Sequence, residues 1–231
     1  MDLLLPHPDV LWARAALLDV LLAVFARECF EPTEAAPDIG THAIIGGGRL
    51  TKQDGAGNWF ELIIYPDDRA VLFGWDESHE LDTAYDPTAA APTWVLNTHL
   101  ATADPRVVDG TQISFVRWWE NGEWHSTPTD LSDGLDMGLR NLADKSIDGE
   151  MKQFADFSEE ISIDIDTDEV FGVIVDTKQL TQIRELADQR RLTRDDLEFL
   201  GAELVDPICD YLEQAGVLSG TSKVTALLPL D

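Results

Sequence analysis

Hydrophobic positions along this chain follow two different periods, which predict a helical start, a strand-rich middle and a helical end. The first segment, from Val10 to Cys29, is apolar around almost its whole circumference and predicts a buried helix, with Asp9 as its cap and Pro32 as its stop. Charged residues interrupt it, so it has no apolar run of the roughly 18 residues that a membrane-spanning helix needs. Either the rest of the chain or a second copy must cover such a helix. A homodimer through Val10–Cys29 is therefore one hypothesis.

From about residue 41 to 128 the pattern changes to short apolar runs separated by turn residues, which is typical of β-strands. The segments THAIIGGGRL and NWFELIIYPDDRAVLFGWDE predict strands, and the second predicts a hairpin that turns at Asp67 and Asp68. TWVLNTHL, residues 93–100, is a further strand candidate. A two-residue turn at Asp67 and Asp68 sets three apolar pairs on one face: Ile64 with Val71, Leu62 with Phe73, and Phe60 with Trp75.

Residues 115–126, FVRWWENGEWHS, carry the strongest local hairpin signal in the chain. Asn121 and Gly122 both tolerate the positive φ that a type I′ turn requires, and this turn fixes the register of the strands beside it. Three predicted pairs follow: Trp119 with Trp124, Trp118 with His125, and Glu120 with Glu123.

The two faces of this hairpin predict different roles for neighbouring tryptophans. Trp119 and Trp124 form a cross-strand pair that is expected to lie in the core. Trp118 and His125 share the opposite, mixed face, which we expect to contact solvent and to be available for binding. Glu120 and Glu123 repel each other mildly, so they are either well solvated or positioned for a cation.

Beyond residue 129 the pattern becomes mostly helical, with two strand-like runs between residues 161 and 175. A helix from about Lys178 to Arg190 is predicted with Leu180, Ile183 and Ala187 facing inward. The other boundary signals are a capping box at Thr193 and Asp196, a helix start at Asp206-Pro207, and a C-terminal cap at Gly216.

These elements together predict an α+β fold: an N-terminal helix, an antiparallel sheet of five to seven strands built from hairpins, and a helical C-terminal region. The order of elements does not suggest parallel βαβ units. We expect a single acidic domain over residues 1–231, with an internal boundary near 129–150.

The charge balance limits which partners the fold can bind. The chain has 16 basic and 44 acidic residues, a formal net charge of −28. Such a surface repels nucleic acid and anionic membranes, whose binding needs clustered Lys and Arg. It attracts basic partners through long-range electrostatic steering. Solubility, or the composition of a salt-adapted or GC-rich organism, explains the acidity equally well from the sequence alone.

The two cysteines, Cys29 and Cys209, lie 180 positions apart in segments that predict helices, without a CxxC motif. A reduced, buried pair is the expected state. The N-terminal residues MDLLLPHPDV carry an acid and two prolines where a secretory signal carries positive charge, which predicts a cytoplasmic protein.

Candidate chemistry is sparse, and each motif fails at a required position. Asp164, Asp166 and Asp168 have the first three spacings of a calcium loop, but Glu169 and Val175 occupy its glycine and bidentate glutamate positions. GGGRLTK lacks the glycine that precedes lysine in a phosphate loop. Asp76, Glu77, His79 and Glu80 put one histidine among carboxylates, which suits a metal ligand or a general base, although a polar strand exit explains them as well. No cofactor or metal is predicted.

The leading hypothesis for function is a cytoplasmic acidic binding protein that neutralises or regulates a basic protein partner, for example an immunity protein against a toxin. Its candidate binding residues are the two groups introduced above: Trp118, His125, Glu120 and Glu123, and Asp76, Glu77, His79 and Glu80. The alternatives are a hydrolase or metal-dependent enzyme centred on Asp76–Glu80, and a self-associating scaffold module. Nucleic acid and membranes are not expected partners.

Overall fold

The computed structural model describes residues 4–29, 43–46, 48–53, 58–82, 84–96, 113–135 and 177–226. The chain forms two compact units. The sheet unit comprises Met1–Asp9, His42–Ala143 and Val224–Asp231, and the helical unit comprises Val10–Thr41 and Asp144–Lys223. The predicted α+β fold is confirmed, and the prediction of a single domain with an internal boundary stays a prediction.

The sheet unit contains six antiparallel strands in the sequential order β1-β2-β3-β4-β5-β6, which falls within the predicted five to seven. They are β1 Ala43–Gly46, β2 Arg49–Gln53, β3 Trp59–Ile64, β4 Ala70–Trp75, β5 Phe115–Glu120 and β6 Glu123–Ser126. Each strand pairs with the next along the chain, so the described sheet is open, with β1 at one edge and β6 at the other.

The β3–β4 hairpin differs from its predicted register by one residue. Ile63 lies opposite Val71, Glu61 opposite Phe73 and Trp59 opposite Trp75, so the predicted partners Ile64, Leu62 and Phe60 were wrong. The reason is the loop: the Tyr65 N–H donates to the Arg69 carbonyl, which leaves three residues in the turn instead of two. Asp68, the last of them, has φ 59°, the left-handed conformation that closes a three-residue hairpin loop.

This shift exchanges the two faces of β3, because side chains alternate with a period of two. Trp59, Ile63 and Tyr65 now share a face with Val71 and Phe73, and together they form a buried cluster with Val116 and Trp118. The opposite face of β3 and β4 is apolar as well, and Leu62 and Leu72 are buried on it. Hence β3 and β4 carry buried apolar residues on both faces, although the predicted register was wrong.

The β5–β6 hairpin has the predicted register. Trp119 lies opposite Trp124, Trp118 opposite His125, and Glu120 opposite Glu123. Asn121 and Gly122 have φ angles of 57° and 85°, as a type I′ turn requires. The predicted roles of the faces, however, were wrong, since Trp118 is 6% exposed and belongs to the buried cluster, while Trp119 and Trp124 are half-buried. The physical reason is the register of β4 with β5, which places Trp118 opposite Val71 on the more deeply buried face.

The predicted strand in TWVLNTHL is also wrong for its described part. Residues Thr93–Leu96 form a single helical turn, α2, in which the Val95 N–H donates to the Pro92 carbonyl. Val95 is buried in the same cluster as Trp118, and the Trp94 ring packs against that cluster. Pro92 favours this outcome, because its fixed φ suits the first turn of a helix.

The helical unit contains α1 Pro8–Cys29, which begins within the sheet unit's first segment, α3 Thr177–Asp188, a 3-10 helix Asp195–Leu200, and α4 Ala202–Gln214. The predicted inward residues of α3, namely Leu180, Ile183 and Ala187, are all buried. Asp196 accepts hydrogen bonds from Thr193 N and Oγ1, so the predicted pair is in contact, but the cap residue of the 3-10 helix is Arg194 and it makes no side-chain cap bond. Gly216 has φ 68° and follows the end of α4 as predicted.

The predicted helix start at Asp206-Pro207 is wrong, because both residues lie inside α4. The break lies earlier, at Gly201, whose φ of 90° separates the 3-10 helix from α4. Glycine adopts that backbone angle without the steric penalty that other residues meet. Pro207 therefore lies in a helix interior, where it removes one backbone donor.

Several side chains of α1 make hydrogen bonds to other parts of the helical unit. The Trp12 indole donates to the Ala215 carbonyl at the end of α4, and Arg14 makes a paired hydrogen bond to Asp188 of α3. The Tyr211 hydroxyl donates to Asp19, a carboxylate that is 1% exposed. Residues 11–21 of α1 are buried within a single chain, so the homodimer through Val10–Cys29 stays a prediction that this burial does not require.

Replacing Tyr211 with phenylalanine is expected to lower the free energy of unfolding at neutral pH by about 1–3 kcal/mol, because the buried Asp19 carboxylate loses a donor. Burial, and then the charge of Asp19, raise the pKa of Tyr211 above its ordinary value. A tyrosine with a raised folded-state pKa contributes fully below the unfolded-state pKa of about 10, and this contribution is lost as the pH rises above it. Urea denaturation of both proteins should show a gap at neutral pH that narrows in alkali. A gap that does not depend on pH would contradict this assignment.

None of the helices in the described residues is both long and apolar enough to span a membrane. The helices predicted between residues 136 and 160, the strands predicted between 161 and 175, and the calcium-loop residues Asp164, Asp166 and Asp168 lie outside the described residues.

Candidate binding surface

Two turns bring acidic residues together at one end of the sheet. Antiparallel pairing sets Ala70 of β4 opposite Trp119 of β5, so the β3–β4 turn and the β5–β6 turn lie at the same end. This places four carboxylates from two distant segments at the same end of the sheet, and we call them the turn-end acidic group: Asp67, Asp68, Glu120 and Glu123.

Few positive groups in the described part of the chain face the turn-end acidic group. Arg69 pairs with Asp67 and also stacks over the Trp94 ring, with its guanidinium carbon 4.8 Å from the ring centroid. His7 Nε2 lies 3.4 Å from an Asp68 carboxylate oxygen. His125 Nε2 lies 3.7 Å from a Glu123 carboxylate oxygen. Four carboxylates therefore face three groups that can carry a positive charge, so the group keeps a negative balance.

No sequence pattern predicted the part that His7 plays. Its ring meets Trp119 edge-on, with centroids 4.8 Å apart, and its Nδ1 accepts a hydrogen bond from the Asp9 N–H. The carbonyl of the neighbouring Pro6 accepts a 2.7 Å hydrogen bond from the Trp124 indole. The segment before α1 therefore packs on the Trp119 and Trp124 side of the hairpin, a long-range contact that local periodicity does not encode.

The predicted residues Trp118 and His125 are in contact, with their rings stacked at 5.9 Å and 21° between planes. Trp118 is buried, so in this conformation it supports His125 from beneath instead of presenting its own ring to a partner. His125 is half-buried, and its Nε2 also lies 3.3 Å from the Glu120 carbonyl. The accessible part of this predicted group consists of His125, Glu120 and Glu123.

The second predicted group, Asp76, Glu77, His79 and Glu80, lies at the opposite end of β4. At about 3.3 Å per residue, the six residues of β4 separate the two groups by about 17 Å. The structure therefore does not bring the two predicted groups together. Each is a separate part of the sheet unit.

Asp76 is a structural carboxylate. It is 4% exposed, and its Oδ1 accepts hydrogen bonds from the Ser78 N–H at 2.9 Å and from the Ser78 hydroxyl at 2.5 Å. Its own N–H donates to the Ser114 hydroxyl. Gly134 packs directly on it, since a Cβ at Gly134 would lie 2.6 Å from the Asp76 Cβ. These contacts hold the exit of β4 in a tight turn.

His79 keeps one ring nitrogen for other contacts. Its Nδ1 lies 2.7 Å from the Asp76 carbonyl, and its ring packs on Trp75 with centroids 4.4 Å apart. A bond from Nδ1–H to a carbonyl leaves Nε2 as the acceptor. Ser78 points its hydroxyl at Asp76, so no serine–histidine pair for nucleophilic catalysis forms here. In the residues that the structure describes, no group of three or more His, Cys, Asp or Glu side chains is arranged to hold a metal ion.

The remaining polar contacts at this end of the sheet involve residues that follow β6. Glu80 and Ser132 exchange two hydrogen bonds, and Arg117 of β5 pairs with the buried Asp133. The Tyr85 hydroxyl donates to the Thr127 carbonyl. Burial raises the pKa of the Tyr85 phenol, while the Arg117 guanidinium acts in the opposite sense.

Glu77 is one of the two exposed predicted acids at this end of the sheet, with Glu80. Its side chain is exposed, and its backbone N–H donates to the Asn58 side-chain oxygen at 2.9 Å. That bond ties the exit of β4 to the residue before β3. The carboxylate of Glu77 therefore points into solvent from a fixed backbone.

Comparison of the chain with models of protein families, with curated proteins and with solved structures gave no match.

Proposed function

We propose that this protein binds a basic protein partner in the cytoplasm and neutralises or regulates it, as an immunity protein acts on a toxin. One observation carries the proposal: in the described part of the sheet unit, every residue that is both charged and exposed is acidic. These residues are Asp67, Asp68, Glu77, Glu80, Asp82, Asp86, Glu123 and Asp130.

The basic residues of the same described region do not offset this surface. Arg49, Lys52, Arg69 and Arg117 are half-buried, and the three arginines pair with Glu61, Asp67 and Asp133 respectively. Their charge is largely compensated inside the unit, so the exposed carboxylates dominate the field that reaches solvent. A field of one sign raises the rate at which oppositely charged molecules meet the surface.

The helical unit has a different surface. Among its residues whose side chains are described, the exposed acids Glu185, Asp195, Glu198, Asp206, Asp210 and Glu213 are accompanied by the exposed bases Lys178, Arg191, Arg194 and Lys223. Over their full sequences the two units are similarly acidic, with formal net charges of −13 for the sheet unit and −15 for the helical unit. Among the described residues, however, exposed bases lie only in the helical unit, which favours a basic partner that meets the sheet unit.

The Asp76–Glu80 hydrolase alternative has less support. Its one buried carboxylate is already engaged by Ser78, and His79 has no described carboxylate or hydroxyl partner with which to share a proton. The cytoplasmic part of the proposal is compatible with Cys209, which is free and buried and whose thiol pKa is raised by burial.

Removing four charges from the sheet unit is expected to abolish partner capture, whereas removing four from the helical unit should not. The test variant carries Asp67→Asn, Asp68→Asn, Glu120→Gln and Glu123→Gln. The control carries Glu185→Gln, Glu198→Gln, Asp210→Asn and Glu213→Gln, and therefore has the same net charge. Immobilised full-length chains are exposed to a lysate of the source cells, and retained proteins are identified by mass spectrometry. The expected result is a protein of isoelectric point above about 9 that the wild type and the control retain and the test variant loses.

Association with that protein should also slow strongly with salt, because the screening length falls from about 10 Å at 0.1 M to about 3 Å at 1 M. Stopped-flow or surface-based kinetics would measure it. Equal capture by both variants, or an association rate that does not respond to salt, would contradict the proposal.

A further inference from the structure

The outer edge of β6 has backbone groups that point away from the sheet. In an antiparallel ladder, alternate residues bond to the strand on either side. The hydrogen bond from the Tyr65 N–H to the Arg69 carbonyl shows which residues of β3 and β4 bond to each other. The observed registers then fix which residues of β4, β5 and β6 bond to each neighbouring strand. Trp118 and Glu120 consequently bond toward β6, where their partners are His125 and Glu123. The N–H and carbonyl groups of Trp124 and Ser126 therefore face outward.

β6 is short, at four residues, but it lacks lysine, proline and a bulge, three features that usually prevent another strand from pairing. Strand edges are commonly protected by lysine, proline or a bulge. The residues of β6, Glu123–Ser126, include neither lysine nor proline, and their pairing with β5 is regular along the whole strand. Within the described residues, no backbone hydrogen bond from another segment reaches Trp124 or Ser126.

The side chains along β6 define what kind of strand would fit. Glu123 and His125 project to one face, and Glu120 of β5 lies on that face beside them. The half-buried Trp124 ring projects to the other. A strand paired with this edge would therefore meet carboxylates on one side and an aromatic surface on the other, and side chains of directly opposed residues share a face.

We infer that β6 is a docking edge for an extended segment in which basic and apolar residues alternate, the basic ones facing Glu120 and Glu123 and the apolar ones lying beside Trp124. Main-chain hydrogen bonds hold such a strand and alternate side chains select it. The inference rests on the proposed function, because it states how a basic partner is held. Charge attracts the partner to the sheet unit, and the edge gives it one fixed register.

The test uses the full-length protein and an eight-residue peptide of alternating valine and lysine, fluorescently labelled, with blocked termini. In a docked strand that runs antiparallel to β6, the residues that bond to Trp124 and Ser126 lie directly opposite them and share the Trp124 face, so they are the valines. One analogue is N-methylated at every valine and a second at every lysine. Both have the same charge and the same number of added methyl groups, but only the first loses the N–H groups that face β6.

Fluorescence anisotropy at low salt should show that the valine-methylated peptide binds at least about tenfold more weakly than the lysine-methylated one. On the protein side, Ser126→Pro removes an outward N–H without removing a bond to β5. Ser126→Ala removes the same hydroxyl and keeps that N–H. Ser126→Pro is expected to bind the parent peptide about tenfold more weakly than Ser126→Ala.

Equal binding of the two methylated peptides overturns strand addition, and this comparison uses only the wild-type protein, so it holds even if Ser126→Pro does not fold. Octalysine separates the two proposals. If octalysine and both analogues bind with equal affinity, the acidic surface attracts basic chains and the edge inference alone is wrong. If no basic peptide binds at low salt, the edge inference fails together with the electrostatic basis of the proposed function.

Discussion

Trp118→Ala is expected to lower the free energy of unfolding by about 3–5 kcal/mol, which is a large part of the stability of an ordinary domain. The indole is 6% exposed and packs in the cluster formed by β3, β4, β5 and α2, where it neighbours Val71 across the strands. Its removal leaves a cavity under the stacked ring of His125. Urea denaturation followed by far-UV circular dichroism would measure the loss without relying on tryptophan fluorescence.

Trp124→Ala provides the matched comparison on the same hairpin. It removes a half-buried ring, a contact with Trp119 at 5.7 Å and the hydrogen bond to the Pro6 carbonyl, but no member of the buried cluster. The loss of stability should be clearly smaller than for Trp118. If Trp124→Ala were equally or more destabilising, the more deeply buried face of the sheet would be the opposite one.

Gly74→Ala is expected to destabilise the protein by about 3 kcal/mol or more, at or above the usual range for overpacking. A Cβ at this position in β4 would lie 2.2 Å from the Trp59 carbonyl oxygen and 2.8 Å from both the Phe60 Cα and the Phe115 Cζ. Two of these atoms belong to the backbone of the neighbouring strand, which cannot withdraw without breaking the β3–β4 ladder. Thermal and urea denaturation of the purified variant would test the expectation.

Gly122→Ala measures the loss of stability that comes from backbone strain alone, without steric overlap. Gly122 has φ +85°, and a Cβ added there would have no neighbouring atom within 4 Å, so alanine meets conformational strain alone, about 1–2 kcal/mol. A smaller loss at Gly74 than at Gly122 would mean that Phe60 and Phe115 do not both lie against Gly74, contrary to the observed register.

Local chemistry explains why one hairpin was predicted correctly and the other was not. Asn121-Gly122 strongly favours a two-residue type I′ turn, and once that turn forms, every pair in β5–β6 follows. The residues Pro66, Asp67 and Asp68 are compatible with loops of two or three residues. The left-handed conformation of Asp68 corresponds to the loop of three residues. A difference of one residue in loop length exchanges the two faces of β3.

The sequence could not assign the tryptophans because both faces of the hairpins carry large apolar residues. A period of two shows that Trp118 and Trp119 point in opposite directions, but not which direction is the more deeply buried. That depends on which strand pairs with β5 and on where Val95 of α2 packs. Similarly, TWVL has the composition of a strand, and the helical turn became evident only from its contacts with the cluster.

The sequence predicted that the candidate surface is negatively charged, and it predicted some of the residues that form it. The excess of acidic residues, the opposed Glu120 and Glu123, and the helix end near Gly216 all follow from composition or from interactions between residues a few positions apart. Such interactions act between residues that are close together in the chain, so their outcome can be predicted from the local sequence.

Which carboxylates share one end of the sheet depends on the pairing of strands that are distant in the sequence. Asp67 and Asp68 lie at the same end as Glu120 and Glu123 because β4 pairs with β5, although a long connection separates those strands. The same structure buries Asp76 behind Gly134, pairs three arginines of the sheet unit with carboxylates, and leaves β6 at an edge. Each outcome depends on contacts between residues far apart in the chain, whose free energy is shared over the whole packed unit and is not contained in any local pattern.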